Sequence, residues 1–176
     1  MNKIEKLLQI GDLRSAGKTE IVIKKVIAEP ELFDHVIQTV FSENPAACMR
    51  AADVIEKLSR QYPEWLQSYK SLLLNKIAKQ EQKEIRWHVA QILPRLTLTK
   101  KEREKVYGTM LDYLKDESKI VKTFAMQALT DIATQDTLYV EKVEKIIASC
   151  TKSGSPAMQS RGRKLMQTLA DLKKSN

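Results

Sequence analysis

Few side chains in this sequence have the type and spacing needed for metal binding or nucleophilic catalysis. Its two histidines, His35 and His88, lie in different periodic segments with no second His or Cys beside them. Because metal-binding and catalytic histidines normally have such companions, we expect His35 to be a partly exposed helical residue. Cys48 and Cys150 are roughly a hundred residues apart, which predicts two free thiols rather than a metal site or a disulfide framework.

The common catalytic and nucleotide-binding motifs are missing from the sequence. It contains no GxxxxGK[ST], GxGxxG, GxSxG or HExxH. A pair of carboxylates from segments distant in the chain stays open as a route to acid–base chemistry. We therefore expect a protein that is not an enzyme and that needs neither a cofactor nor a metal.

Composition favours helices. The 176 residues include five Gly and five Pro, too few for an all-β sandwich or for a fold built on glycine loops. The first fourteen residues place Lys and Glu among their apolar residues, unlike the uninterrupted apolar core of a signal peptide. No apolar stretch approaches the length of a membrane span, and we expect a soluble, cytoplasmic protein.

Apolar residues recur with a period near 37 residues, which indicates helical repeats. In each repeat five positions, at offsets 0, 4, 7, 8 and 11, are apolar or Gly. These offsets fall on a stripe about 100° wide, which is one face of an α-helix. We call this segment the B helix. The four sets are Ala47, Ala51, Val54, Ile55, Leu58; Ile85, Val89, Ile92, Leu93, Leu96; Val121, Ala125, Ala128, Leu129, Ile132; and Met158, Gly162, Leu165, Met166, Leu169.

Another amphipathic segment, the A helix, precedes each B helix. The second of these runs from Trp65 to Ile77. Pro45, Pro63 and Pro156 suit first helical turns, and Thr99 with Glu102 predicts a capping box. Single hairpins of this length cannot bury their apolar faces, so we expect them to stack. The predicted repeats span 30–60, 63–97, 99–134 and 137–174, after an N-terminal helical cap over 1–29 in which Ile23, Val26 and Ile27 cover the first repeat.

The third B helix resembles the HEAT-repeat pattern. It has an acid in the preceding turn at Asp116, an apolar–basic pair at Val121-Lys122, then Ala125 and Ala128-Leu129. The second B helix is similar, whereas the basic position is Cys48 in the first and Gln159 in the fourth. The resemblance covers roughly residues 30–172. It implies an all-α fold: one domain, over residues 1–176, forming a right-handed α-solenoid of about four HEAT-like hairpins plus the N-terminal helical pair.

In such solenoids the B helices line the concave side, where ligands bind. Trp87 and Met49 occupy the offset that points most directly to solvent, and Trp87 has the character of an interaction hot spot. Packing of Trp87 over a neighbouring helix is the alternative, and packing is favoured for Met49 and Phe124. The predicted protein-binding groove consists of Trp87, Met49, Arg50, His88, Gln91, Arg95 and Phe124.

Charge supports a second hypothesis, nucleic-acid binding. The net charge is +8, and basic residues concentrate toward the C-terminus, where Arg161, Arg163 and Lys164 could bind phosphate. The sharper version likens the chain to HEAT-like DNA glycosylases, with Asp53 as the available acid near Trp87. We favour a protein partner of a non-enzymatic scaffold, because Phe124 and Asp131 interrupt the basic flank.

Overall fold

The computed structural model describes residues 2–11 and 15–175, and this part of the chain contains helices and no strand. The predicted all-α class is therefore confirmed. None of these helices combines the length and apolarity needed to cross a bilayer. The chain divides into two compact units, Met1–Leu96 and Thr97–Asn176.

The first unit contains six α-helices within its described residues. They are α1 (Lys3–Leu8), α2 (Thr19–Ala28), α3 (Phe33–Thr39), α4 (Pro45–Ser59), α5 (Lys70–Asn75) and α6 (Lys83–Ile92), with short 3-10 helices at Pro30–Leu32, Pro63–Tyr69, Ile77–Lys79 and Leu93–Arg95. The B helices α4 and α6 pack against each other, and α1, α2 and α3 all pack on α4. Asn44 caps α4 by accepting from the amides of Ala46 and Ala47, with Pro45 in the first turn as predicted.

The N-terminal pair, α1 and α2, forms within the predicted cap, while residues 1 and 12–14 of that segment lie outside the described residues. Val22 and Val26 form the buried face of α2. Ile27 is 41% exposed, so the prediction that it covers the first repeat is wrong. The next residue along an α-helix is rotated by about 100°, which turns Ile27 away from the face set by Val26.

The second A segment is not the continuous α-helix that the sequence predicts. It consists of the 3-10 helix Pro63–Tyr69, then α5, then the 3-10 helix Ile77–Lys79. The tight 3-10 geometry aligns residues three apart, and the rings of Tyr62 and Trp65 stack with centroids 4.4 Å apart. Trp65 and Tyr69 each meet the ring of Phe33 edge-on. This aromatic cluster coincides with the local departure from α-helix.

The second unit contains four α-helices within its described residues. They are α7 (Lys100–Tyr113), α8 (Lys119–Gln135), α9 (Val140–Ser153) and α10 (Pro156–Ser175), with a 3-10 helix at Thr137–Tyr139. The helix α8 packs on α7, α9 and α10, and α9 packs on α10. The Thr99–Glu102 capping box is confirmed, because Glu102 N donates to Thr99 Oγ1 (3.3 Å) and Thr99 N to Glu102 Oε2 (2.8 Å). Gly162 lets α10 approach α9 closely, since a side chain there would collide with Thr151.

The repeated apolar stripe forms the core of both units. All twenty stripe positions are buried except Met166, which is half-buried. Burial therefore confirms the register predicted from the sequence, with one correction: Leu96 was expected on the second B helix and lies after its end, in extended backbone.

Candidate functional site

Trp87 and Met49 occupy equivalent positions on two B helices that pack together, α6 and α4. Both side chains are half-buried. The Trp87 ring lies against the His88 ring with centroids 5.8 Å apart and planes inclined at 59°. On α6 Gln91 is also half-buried, and its Nε2 donates to the backbone oxygen of Trp87 (3.1 Å). Trp87 is therefore neither fully projecting nor fully core, and it keeps part of its ring open to a ligand.

Arg50 does not belong to an exposed polar rim, which corrects the sequence prediction. Its side chain is 1% exposed, and its guanidinium donates to the backbone oxygens of Leu8 (2.7 Å) and Ser15 (3.2 Å). Gly17 permits this approach: it has φ +53°, and a Cβ there would lie 2.8 Å from Arg50 Nε. Arg50 therefore fastens the N-terminal segment onto α4. The sequence prediction failed because it treated α4 as uncovered on this side.

Glu56 is the centre of a buried ion network that the sequence analysis missed. Its side chain is 2% exposed. Oε1 accepts from Arg60 Nε (2.9 Å) and from Arg95 Nη2 (2.8 Å), and Oε2 accepts from Arg60 Nη2 (2.9 Å). Burial raises the pKa of Glu56, but the hydrogen bonds from Arg60 and Arg95 outweigh it and hold the pKa below its usual value. The carboxylate is therefore ionised and cannot act as a general acid near neutral pH.

Arg95 lies half-buried in this network rather than reaching into a groove. Its Nη1 also donates to Ser59 Oγ (2.6 Å) and to the backbone oxygen of Glu56 (3.1 Å). It thus joins the turn after α6 to the end of α4. Two features of the sequence could have revealed the network: Arg60 follows Glu56 by one helical turn, and Arg95 follows it by about one repeat.

His88 completes the cluster from α6. It is 9% exposed, and its buried Nδ1 has no hydrogen-bond partner among the described residues. Burial lowers the pKa of His88, more than the nearby carboxylates of Asp53 and Glu56 raise it. The imidazole is therefore neutral at physiological pH.

Asp53, Glu56 and His88 have the ligand atoms of a metal site, but their carboxylates are already paired with cationic side chains. One potential ligand atom from each lies within 4.8 Å of the others. Both Glu56 oxygens, however, are held by guanidinium groups, and Asp53 pairs with Lys57 at 3.2 Å. A metal ion would have to displace these cations, so the residues do not fit a metal centre.

The remaining predicted residues lie in the second unit. Phe124 on α8 is half-buried. Arg161 is also half-buried, and its Nη1 donates to Gln127 Oε1 (2.7 Å). Arg163 and Lys164 are exposed on α10. Of the three predicted phosphate-binding residues, Arg163 and Lys164 are therefore exposed to solvent, while Arg161 is hydrogen-bonded to Gln127.

Compared with known proteins, the chain matches no family model, no curated protein and no solved structure.

Proposed function

We propose that this chain is a HEAT-like helical-repeat module that binds a protein partner through the surface formed by Trp87 and Met49. The finer fold in this proposal is a right-handed α-solenoid whose B helices line the concave side. It is supported by the packing of successive B helices inside each unit, α4 on α6 and α8 on α10. The free thiols of Cys48 and Cys150 suit a reducing compartment, and we include the cytoplasm in the proposal.

One observation carries the proposed function: a half-buried tryptophan and a half-buried methionine occupy equivalent positions on two helices that pack together. Tryptophan supplies a large, rigid contact area at little entropic cost, and methionine adapts to irregular partners. Trp87 is partly buried and partly accessible, so a partner can still contact it.

The Glu56 network holds together the two helices that carry Trp87 and Met49. Glu56 lies on α4, and Arg95 ties it to the turn that follows α6. Charge-assisted hydrogen bonds of this kind hold two helices in one arrangement, which reduces the ordering that binding would otherwise require.

The test combines capture with an affinity measurement. Proteins retained by the immobilised chain after nuclease treatment are identified by mass spectrometry, and the affinity of the recovered partner is then measured. Trp87→Ala should weaken binding by more than ~2 kcal/mol, whereas raising salt from about 50 to about 200 mM should have a modest effect. The matched control is Ile120→Ala, which truncates an exposed apolar side chain of the other unit. Equal affinities of the wild-type and Trp87→Ala proteins would reject the proposal.

Nucleic-acid binding is the second candidate, and the exposure of Arg163 and Lys164 favours it. It predicts steeply salt-dependent binding of short duplex or single-stranded oligonucleotides, lost when both residues are changed to Glu. A glycosylase-like reaction would rely on Asp53, which is paired with Lys57. The glycosylase version is rejected if the wild-type chain releases no base from alkylated DNA. It is also rejected if Asp53→Asn releases bases at the wild-type rate.

A further inference from the structure

A small notch lies in the second unit, between the first turns of α7 and the start of α9. Its volume is about 360 Å³. Its apolar lining comes from Tyr107 on α7 and from Leu138 and Tyr139 in the turn before α9. All of these residues belong to one unit, and none of them takes part in the surface around Trp87.

Leu138 is held away from the core by its own turn. It is 76% exposed, more than any other large apolar side chain in the described part of the chain. Asp136 caps this turn by accepting from Leu138 N (3.2 Å), and it is fixed in turn by Arg103 Nη1 (3.1 Å). Leu138 shares its notch with two tyrosine rings, and apolar surface that is grouped in this way, unlike a leucine exposed singly, is typical of interaction sites.

The two tyrosines form the wall of the notch. Their ring centroids are 5.1 Å apart and their planes are inclined at 49°. The rings are in contact, so no slot remains between them for a cation. Burial raises the pKa of both phenols, which therefore stay protonated and can donate hydrogen bonds to an anionic partner.

Charge around the notch favours an acidic partner. Lys100 and Lys142 line it, against the carboxylates of Glu104 and Asp136, and Asp136 is already paired with Arg103. The unit as a whole, residues 97–176, carries 15 Lys and Arg against 10 Asp and Glu. Because Arg103 neutralises Asp136, two lysines face one remaining carboxylate in the lining, and the basic excess of the unit adds to the attraction for an acidic partner.

We propose that this notch docks a short acidic peptide segment of a partner protein. A bulky apolar side chain of that segment lies on Leu138 and the Tyr107–Tyr139 pair, and flanking carboxylates lie near Lys100 and Lys142. This inference does not rest on the surface around Trp87, because the two sites share no residue.

The test uses a random-sequence peptide library displayed on phage and selected on the full-length chain. Leu138→Ser and Lys142→Glu are the test variants. Their matched controls in the same unit are Ile120→Ser, at another exposed apolar residue, and Lys145→Glu, at an exposed lysine of α9 that does not line the notch. Leu138 and Lys142 are exposed, so the test variants should fold as the wild-type chain does.

The expected result is enrichment of peptides that combine Asp or Glu with Leu, Ile, Phe or Trp. Leu138→Ser should lower the affinity for these peptides at least about five-fold, and Lys142→Glu at least about three-fold. The two control variants should bind them with the wild-type affinity. No enrichment, enrichment of basic peptides, or equal binding by test and control variants would overturn the proposal. If analytical ultracentrifugation shows a dimer that Leu138→Ser converts to a monomer, the notch is a self-association surface and the peptide proposal is overturned. Peptides whose binding is lost in Trp87→Ala, and kept in Leu138→Ser, would bind the surface around Trp87 and would overturn the proposal for this notch.

Discussion

Replacing Glu56 with Gln tests whether the buried ion network holds the first unit together. Glutamine keeps the volume of the side chain but removes its charge. At least one of the three charge-assisted hydrogen bonds to Arg60 and Arg95 is lost, because the amide nitrogen that replaces one oxygen cannot accept from a guanidinium, and those that remain become weaker.

The size of the effect follows from the exposure of the partners. Removing one member of a fully buried ion pair costs about 3–5 kcal/mol, because the other charge is left without compensation. Here the side chains of Arg60 and Arg95 are 59% and 29% exposed, so water can solvate part of the released charge. We therefore expect Glu56→Gln to lower the free energy of unfolding by ~2–3 kcal/mol at neutral pH.

Tryptophan fluorescence during urea unfolding measures this change. The two tryptophans of the chain, Trp65 and Trp87, both belong to the first unit, so their emission reports on the unit that contains Glu56. A shift in the midpoint with an unchanged slope gives the change in stability.

The pH dependence has a defined sign. The folded-state pKa of Glu56 is lowered, so its carboxylate stabilises the fold above the unfolded pKa of about 4.3 and loses that effect as pH falls through the folded pKa. The difference between wild type and Glu56→Gln should therefore shrink in acid. A difference that grows on acidification contradicts this reasoning.

The matched control is Asp53→Asn on the same helix. The side chain of Asp53, which pairs with Lys57, is 23% exposed against 2% for Glu56, so we expect a loss below about 1 kcal/mol. If Glu56→Gln costs less than about 0.5 kcal/mol, or no more than the control, the network is not a major source of stability.

Three further results are expected. Leu129→Ala should cost ~2–5 kcal/mol in urea unfolding followed by circular dichroism, because Leu129 is fully buried in the repeated stripe, and a loss below about 0.5 kcal/mol would show that the register is wrong. The lowered folded-state pKa of His88 means that unfolding takes up a proton, so stability should fall as pH drops from about 7 to about 5. His88→Gln should reduce that loss, and an identical pH profile for the variant would reject the assignment. Thiol titration should count two thiols after unfolding and, in the native chain, show Cys150 reacting before Cys48, whose buried Sγ donates to Ser42 O (2.9 Å). In the Cys48→Ala variant the slower reaction should disappear, which assigns it to Cys48. A native chain in which Cys48 reacts first would contradict the burial of that thiol.

The sequence by itself determined the helices of the repeats and the face that each one buries. Periodicity at 3.6 residues is a local property, and so are helix-start signals such as Pro45 in a first turn or Thr99 with Glu102. They act within one helix, so the neighbours need not be known. Two predicted helices depart from this pattern. In the segment from Trp65 to Ile77 an aromatic cluster that includes Phe33 from the preceding repeat accompanies tighter 3-10 turns. The second B helix ends as an α-helix at Ile92 and continues as the 3-10 helix Leu93–Arg95.

Only the tertiary structure decided which polar side chains face solvent and which are enclosed. Helical register places Arg50 on a flank of α4, but its exposure depends on whether Leu8 and Ser15 come to lie against it. Glu56 likewise becomes a buried anion because Arg95, 39 positions further along the chain, reaches it. Burial of a charge is set by groups that are distant in sequence and brought together by packing, and a single-helix pattern carries no information about them.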